Sequence, residues 1–269
     1  MLDRSLLVAI LVGVTQGVLE WLPVSSEGNV ALVLTALGES PEQVVAFALF
    51  VHLGTALSAT AYYRGELRAL VALLPSWRPG TAFDGDHATV TFLALGSLVS
   101  GLVGVTLYVF LVRSISSIAG GTLVTLVGVL LVLTGAFQYL SASDAGVRTE
   151  PDWLDAVAVG VAQGVAILPG VSRSGMTTGT LLLRGHEATR SFRLSFLLSI
   201  PAAVGGGLLA YSDSTMALGT LAAGVSLGVA AVVGYLTIGL LLRTVDELPF
   251  WTVCLGLGAL VTLGGLLAA

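Results

Sequence analysis

The sequence predicts an all-α, polytopic membrane protein built from two related halves, on three observations. Hydrophobic residues make up 55% of the 269 residues and charged residues only 10%, a balance that excludes an ordinary water-soluble domain. Six apolar runs are long enough to cross about 30 Å of hydrocarbon. The segment VGVTQGVLEWLPVSSEGN at 12–29 recurs as VGVAQGVAILPGVSRSGM at 159–176.

The six apolar runs predict six transmembrane helices of about 20 residues each. Between the first two, a long loop at 64–87 holds an amphipathic stretch at 66–74, and a polar linker at 141–152 separates the halves. The chain is therefore interpreted as a single membrane domain, 1–269, with one repeat at about 1–140 and the other at about 153–269. The predicted spans are residues 44–62, 89–111, 118–140, 192–210, 216–242 and 250–267.

Two further apolar regions, 5–37 and 153–183, are interrupted near the middle by Pro, Gly and Ser. Each arm is too short to cross a bilayer, so we expect two re-entrant helical hairpins. Their non-helical tips would be buried in protein or line a water-filled cavity at membrane depth. Broken helices at corresponding positions of two halves also indicate a binding site near the bilayer midplane.

The number of crossings predicts the topology. Each half has one hairpin, which returns to its own side, followed by three spans, so the second half is inverted relative to the first. Eight arginines then lie on one side, and only Arg4 and Arg113 lie on the other. By the positive-inside rule the arginine-rich side is cytoplasmic, which predicts a plasma-membrane protein with both termini extracytoplasmic.

Arg173 is the only basic residue predicted at membrane depth, where a charge is costly unless it serves a function. Helices that begin after Ser25 and Ser26 and after Ser172 would direct free backbone N–H groups into the same space. A guanidinium between two helix N-termini suits phosphate, whose oxygens accept bidentate hydrogen bonds. The alternative is that Arg173 forms a structural pair with Glu20 and that the serines only cap helices.

Glu20 lies at the end of the first half-helix, one turn after Gln16. Its carboxylate could ligate a divalent cation such as Mg or Ca, or accept a proton from a hydroxyl or a water. Its alternative role is the salt bridge with Arg173. Ser26 aligns with Arg173 in the repeat, which makes Ser26 the candidate nucleophile for phosphoryl transfer, against a plain helix-capping role. The sequence has no P-loop, no Cys/His metal cluster and no nucleic-acid motif.

At these residues the chain resembles the undecaprenyl pyrophosphate phosphatases of bacteria and their archaeal relatives. That family has an E-x-x-x-E pair followed by P-x-S-S-x-G-H, and a second motif P-G-x-S-R-S-G. The second motif is complete at 169–175, and the first reads QGVLE at 16–20 and PVSSEGN at 23–29. The similarity extends over the whole chain in length, spans and paired hairpins.

The resemblance implies a membrane phosphatase that removes the terminal phosphate of a C55-type polyprenyl pyrophosphate and regenerates the monophosphate lipid carrier. Glu20 would be a metal or acid/base carboxylate, Ser26 the nucleophile and Arg173 the phosphate clamp. The further substrate contacts that we expect at the two motifs are Gln16, Ser25, Gly28, Asn29, Gly170, Ser172, Ser174 and Gly175.

The chain departs from the family pattern at two positions, where Gln16 replaces the first Glu and Asn29 replaces the motif histidine. Asn cannot exchange protons near neutral pH, so another group must supply any acid/base role of that histidine. His52 lies inside the first span, where an imidazole is costly unless it faces a cavity. We expect His52 either to take over this role or to be a hydrogen-bonded core histidine.

Two other functions use the same features. Inverted repeats and broken helices are typical of transporters, so a polyprenyl-phosphate flippase or an anion transporter could bind lipid phosphate without hydrolysis. Small residues at helical spacing would permit close packing within the chain or a homodimer face. The pairs in question are Gly96/Ser100, Gly101/Val105 and Gly224/Gly228.

Overall fold

A computed structural model describes residues 4–115, 119–142, 146–212, 219–244 and 249–268. Within these ranges the protein is helical and has no strand; one isolated parallel bridge joins Arg148 and His186. The α-helices are α1 Arg4–Leu19, α2 Ser26–Ala36, α3 Pro41–Phe50, α4 His52–Tyr62, α5 Arg64–Leu73, α6 Asp86–Ile115, α7 Gly120–Ser141, α8 Trp153–Val165, α9 Arg173–Leu183, α10 Ala188–Ser212, α11 Thr220–Thr244 and α12 Phe250–Ala268. Two short 3-10 helices, Leu74–Ser76 and Pro79–Thr81, follow α5.

Six helical segments are long and apolar enough to cross a membrane, which confirms the six predicted spans. The first is α3 and α4 together, separated only by Val51. The others are α6, α7, α10, α11 and α12. The predicted starts of the third and fifth spans, at residues 118 and 216, lie outside the described residues. Helix α5 confirms the amphipathic stretch predicted in the loop.

The two interrupted regions each form a pair of short helices. Helix α1 has 16 residues and α8 has 13, so at 1.5 Å per residue they are roughly 24 and 20 Å long. Each is followed by a turn and a helix of 11 residues, α2 or α9. We call residues 20–28 the first tip and residues 166–175 the second tip, so that each tip includes the turn and the first residues of the helix that follows it.

The first helix of each pair packs on the other half of the chain. Helix α1 packs against α11, and α8 packs against α6. Glycines that the repeat shares make both contacts close. A Cβ atom at Gly13 would lie 2.7 Å from the Ser226 carbonyl oxygen, and one at Gly160 would lie 2.8 Å from that of Gly96. Gly96 therefore serves packing within the chain, and the two halves interlock rather than lie side by side.

The ends of the helix pairs opposite the tips are held differently. At the second pair, buried Asp155 accepts hydrogen bonds from Arg148 at 3.0 Å and Arg184 at 2.6 Å, and buried His186 lies 2.9 Å from the same carboxylate. At the first pair, exposed Arg4 donates a hydrogen bond of 3.3 Å to the Leu37 carbonyl. The second pair is therefore closed at this end by a buried charged network, whereas the Arg4 contact is exposed.

Two arginines of α10 connect separate segments on the side where Asp155 holds the second helix pair. Arg193 of α10 pairs with Glu66 of α5, and Arg190 donates to the Thr149 carbonyl and to Thr89 at the start of α6. The loop after the first span, the linker between the halves and the start of α10 therefore share one face of the protein.

Candidate active site

Each tip contains a serine that caps the helix following the turn. The Ser25 hydroxyl accepts a hydrogen bond of 3.2 Å from the Gly28 backbone N–H, and the Ser172 hydroxyl accepts one of the same length from Gly175. Such caps satisfy N–H groups that have no partner within the helix. Ser25 is the cap of α2, so the capping role that the sequence left open for Ser26 falls to its neighbour.

The two tips are in direct contact. The Ser25 hydroxyl donates to the Val171 carbonyl at 3.4 Å, and the Ser174 hydroxyl donates to the Leu22 carbonyl at 3.2 Å. A Cβ atom at Gly28 would lie only 3.0 Å from the Gly170 backbone nitrogen. Gly170 also has a φ of 102°, a conformation that side chains other than glycine rarely adopt. These glycines allow the backbones of the two tips to touch.

Glu20 is the centre of the side-chain network between the tips. Its Oε2 atom accepts hydrogen bonds of 2.7 Å from Gln16 and from the Ser26 hydroxyl. Its Oε1 atom accepts one from Arg173 Nη2. The pairing of Arg173 with Glu20, which the sequence left as an alternative, is thus present. Arg173 nevertheless keeps a second nitrogen, Nη1, that is buried without a hydrogen-bond partner.

His52, at the start of α4, completes this network. Its Nε2 atom lies 3.3 Å from Glu20 Oε2, and its Nδ1 atom lies 2.7 Å from the Ala48 carbonyl oxygen. Both ring nitrogens face oxygen acceptors, an arrangement that suits a doubly protonated ring. Arg173 and His52 thus both contact the buried carboxylate of Glu20.

A cavity of about 560 Å³ opens beside this network. The tips and α4 form its polar end, with Glu20, Ser26, His52 and Arg173. Helices α6 and α10 form most of the remainder with small and apolar residues, among them Gly104, Val105, Pro201, Ala202, Gly206 and Leu208. Its size is in the range of small-molecule sites, and its polar and apolar ends suit a molecule with a charged head and a hydrocarbon chain.

The structure brings seven of the predicted site residues to the cavity wall: Glu20, Ser25, Ser26, His52, Ser172, Arg173 and Ser174. Five others are not on that wall: Gln16, Gly28, Asn29, Gly170 and Gly175. Gln16 lies behind Glu20 and donates to it. The Asn29 side chain donates to the Val24 and Ser25 carbonyls at 3.0 and 2.9 Å, so it holds the first tip in shape.

Glu27 and Gln163 are polar cavity residues that the sequence did not single out as site candidates. Glu27 is 5% exposed, and its Oε1 atom is buried without a hydrogen-bond partner. Gln163, the repeat counterpart of Gln16, also lines the cavity and has an unpartnered Oε1. The available signals were the position of Glu27 beside Ser26 and the repetition of glutamine before both tips.

The predicted Mg or Ca site can be compared with these side chains. Both oxygens of Glu20 accept hydrogen bonds from the protein. Among the residues that the structure describes, no group of three or more His, Cys, Asp or Glu side chains could hold a metal ion. A cation bound directly to Glu20 would therefore compete with these hydrogen-bond donors.

The fold and the cavity define an integral membrane protein with a polar site that opens into an apolar space. Comparisons with known proteins give the particular family. Residues 9–260 match the model of the family described as "Bacitracin resistance protein BacA", and the chain belongs to that family.

Curated relatives are similar over almost their whole length. The chain is 50% identical to an undecaprenyl-diphosphatase of Haloarcula marismortui, over 99% of both chains. It is 36% identical to one of Methanococcoides burtonii, over 96% of this chain and 98% of the relative. It is 33% identical to one of Pyrobaculum aerophilum, over 97% of each.

Proposed function

We propose that this protein is an integral-membrane phosphatase that hydrolyses a polyprenyl pyrophosphate of the undecaprenyl type to the monophosphate lipid carrier used in cell-envelope glycan synthesis. The observation that carries the proposal is the meeting of Ser26, Glu20 and Arg173 at the polar end of a cavity whose other walls are apolar. The names of the relatives, undecaprenyl-diphosphatase, support the same activity.

In the proposed mechanism the pyrophosphate lies at the polar end and the isoprenoid chain along α6 and α10. The free Nη1 of Arg173 and the N-terminal N–H groups of α2 and α9 bind the terminal phosphate. Ser26 donates to Glu20 at 2.7 Å, so its proton passes to that carboxylate as its oxygen attacks phosphorus. Arg173 stabilises the charge on the transferring group, and Gln16 and His52 hold the carboxylate in position.

The proposed topology has both helix pairs re-entering the membrane from opposite faces, so that the contacting tips lie near its midplane. The short arms and the interlocked packing of α1 on α11 and α8 on α6 support an inverted repeat. The same arrangement would expose both termini outside the cell membrane. Labelling of the 64–87 loop from outside intact cells would contradict this orientation.

Two further parts of the proposal concern the requirement for a metal ion and the oligomeric state. A requirement for Mg or Ca would need the substrate's phosphates as the main ligands, and titration of metal-free protein with each ion tests it. A homodimer would use a small-residue helix face, such as Gly224 and Gly228, against which no neighbouring group lies within 4 Å. The mass of the detergent-solubilised protein tests that prediction.

The decisive experiment is phosphate release from a polyprenyl pyrophosphate by the purified full-length protein in detergent. We expect inorganic phosphate and polyprenyl monophosphate in equal amounts. Transfer of the lipid across vesicle membranes without release of phosphate would favour the flippase instead. Uptake of free phosphate into vesicles would favour the anion transporter.

A further inference from the structure

Glu27 is a second buried acid in the cavity, and the network around Glu20 does not use it. It follows Ser26 in the first turn of α2, lines the cavity, and is 5% exposed. Its Oε1 atom is buried and has no hydrogen-bond partner. A buried polar atom without a partner carries a free-energy cost. Such an atom beside a reactive site indicates a function.

The other titratable groups on the cavity wall are already paired. Glu20 accepts hydrogen bonds from Gln16, Ser26 and Arg173, and His52 lies between Ala48 and Glu20. Asn29 is bound to the tip backbone and cannot exchange a proton. Glu27 and Glu20 are the two acids on the wall within the described residues, so Glu27 is the carboxylate with an oxygen free to accept a proton.

We propose that Glu27 is the general base that activates water in the second half of the reaction, when the phosphoryl group leaves Ser26. This inference rests on the proposed function and on Ser26 as nucleophile. Glu27 follows Ser26 directly and lines the same cavity, so in the proposed second step water would enter between the phosphoryl group on Ser26 and the Glu27 carboxylate.

The proposed reaction has two chemical steps. In the first, the Ser26 oxygen bonds to the terminal phosphorus, its proton passes to Glu20, and the bond to the bridging oxygen breaks, so polyprenyl monophosphate leaves with the electron pair. In the second, a water oxygen bonds to the same phosphorus and gives its proton to Glu27. The bond from phosphorus to Ser26 breaks, Ser26 takes back its proton from Glu20, and inorganic phosphate leaves. Glu27 then releases its proton to bulk water, which restores the carboxylate.

The experiment compares Glu27→Gln with wild type and with Glu150→Gln, a matched change at an exposed loop residue, by rapid-quench kinetics with a polyprenyl pyrophosphate in detergent. General-base catalysis contributes about 10² to 10⁴ in rate. We therefore expect Glu27→Gln to lower steady-state phosphate release by that factor, while an initial burst of polyprenyl monophosphate remains. Mass spectrometry of the acid-quenched variant should find phosphate on Ser26.

The outcomes separate this inference from the proposed function. If wild-type protein releases no phosphate from the lipid, the proposed function is wrong and Glu27 has no reaction to assist. If wild type is active and Glu27→Gln has the same rate as Glu150→Gln, or loses burst and turnover together, the role of Glu27 in the second step is wrong.

Thermal unfolding of the variants tests whether Glu27 has a purely structural role. Glu27→Gln replaces the carboxyl group with a neutral amide of the same shape, so we expect its unfolding temperature to be no lower than that of Glu150→Gln, although its activity is lost. Glu27→Asp keeps a carboxylate and should keep part of the turnover. A lower unfolding temperature in Glu27→Gln would overturn the assignment.

Discussion

The two tips share a scaffold but differ in backbone and in chemistry. Each has a capping serine, Ser25 or Ser172, with the same hydrogen bond of 3.2 Å to the helix that follows. Ser25 is nevertheless left-handed, with φ of 58°, whereas Ser172 is extended, with φ of −77°. The first tip presents a hydroxyl and two carboxylates, and the second presents a guanidinium. The duplicated scaffold positions the groups, and the difference between the copies supplies the chemistry.

The largest effect should come from the nucleophile of the first tip. If Ser26 attacks phosphorus, Ser26→Ala should lower kcat by up to about 10⁶, the scale on which a serine nucleophile acts. Ser76→Ala, at an exposed serine, serves as the control in the same phosphate-release assay. Retention of most activity in Ser26→Ala would make water the direct nucleophile.

Arg173 of the second tip should contribute less to the rate, because it stabilises charge but forms no covalent bond in the reaction. Arg173→Ala should lose about 2.7 to 4 kcal/mol of transition-state stabilisation, or 10² to 10³ in kcat. Arg173→Lys should recover only part of this, because lysine lacks the planar fork. Exposed Arg78→Ala is the control. Since the two tips act as one unit, Ser26→Ala with Arg173→Ala should be little worse than Ser26→Ala alone.

At the ends of the helix pairs opposite the tips, substitutions should change the stability of the protein rather than the reaction rate. Asp155→Asn breaks buried hydrogen bonds to Arg184, Arg148 and His186 and should cost about 3 kcal/mol in the free energy of unfolding. Arg4→Ala, at the first pair, removes one exposed hydrogen bond and should cost less than about 0.5 kcal/mol. Denaturant titration in detergent micelles measures both, and equal costs would contradict the difference between the two ends.

The same end of the molecule should respond to acid. Burial alone would raise the pKa of Asp155, but hydrogen bonds from His186, the Asp152 backbone and Arg184 outweigh it and hold the pKa below its usual range. The stability that Asp155 contributes is therefore present above the pKa of about 4 that it has when unfolded, and is lost as the pH falls toward its lower folded value. In Asp155→Asn this acid-dependent loss should be smaller.

The smallest effect should come from the different backbone conformations of the two capping serines. Ser25→Gly and Ser172→Gly remove the same capping hydroxyl, but only the first relieves a left-handed residue that costs about 1 to 2 kcal/mol. Ser172→Gly should therefore be more destabilising than Ser25→Gly by about 1 kcal/mol in the free energy of unfolding. If the two variants are equally stable, the left-handed turn at Ser25 carries no strain.

The spans and both interruptions could be predicted from the sequence because hydrocarbon thickness and the backbone requirements of proline and glycine are local constraints. The convergence of Ser26 and Arg173 on one cavity followed from the repeat. The orientation of Glu27 could not be predicted from the repeat. The left-handed turn at Ser25 contributes to the orientation of α2 relative to the cavity, and a serine in that conformation has no sequence signature. Asn29 and Gln16, expected at the substrate, instead hold the first tip and Glu20.

The interlocked halves have a consequence for how the protein is made. Helix α1 emerges from the ribosome first, yet its packing partner α11, Thr220–Thr244, is among the last segments to be synthesised. The buried acids of the first tip also have neither Arg173 nor the wall formed by α10 until the second half is made. The first half is therefore an incomplete folding unit, and its insertion must tolerate exposed carboxylates until α10 has been synthesised. A chain truncated before α11 would contain the residues of both tips but lack the helix against which α1 packs.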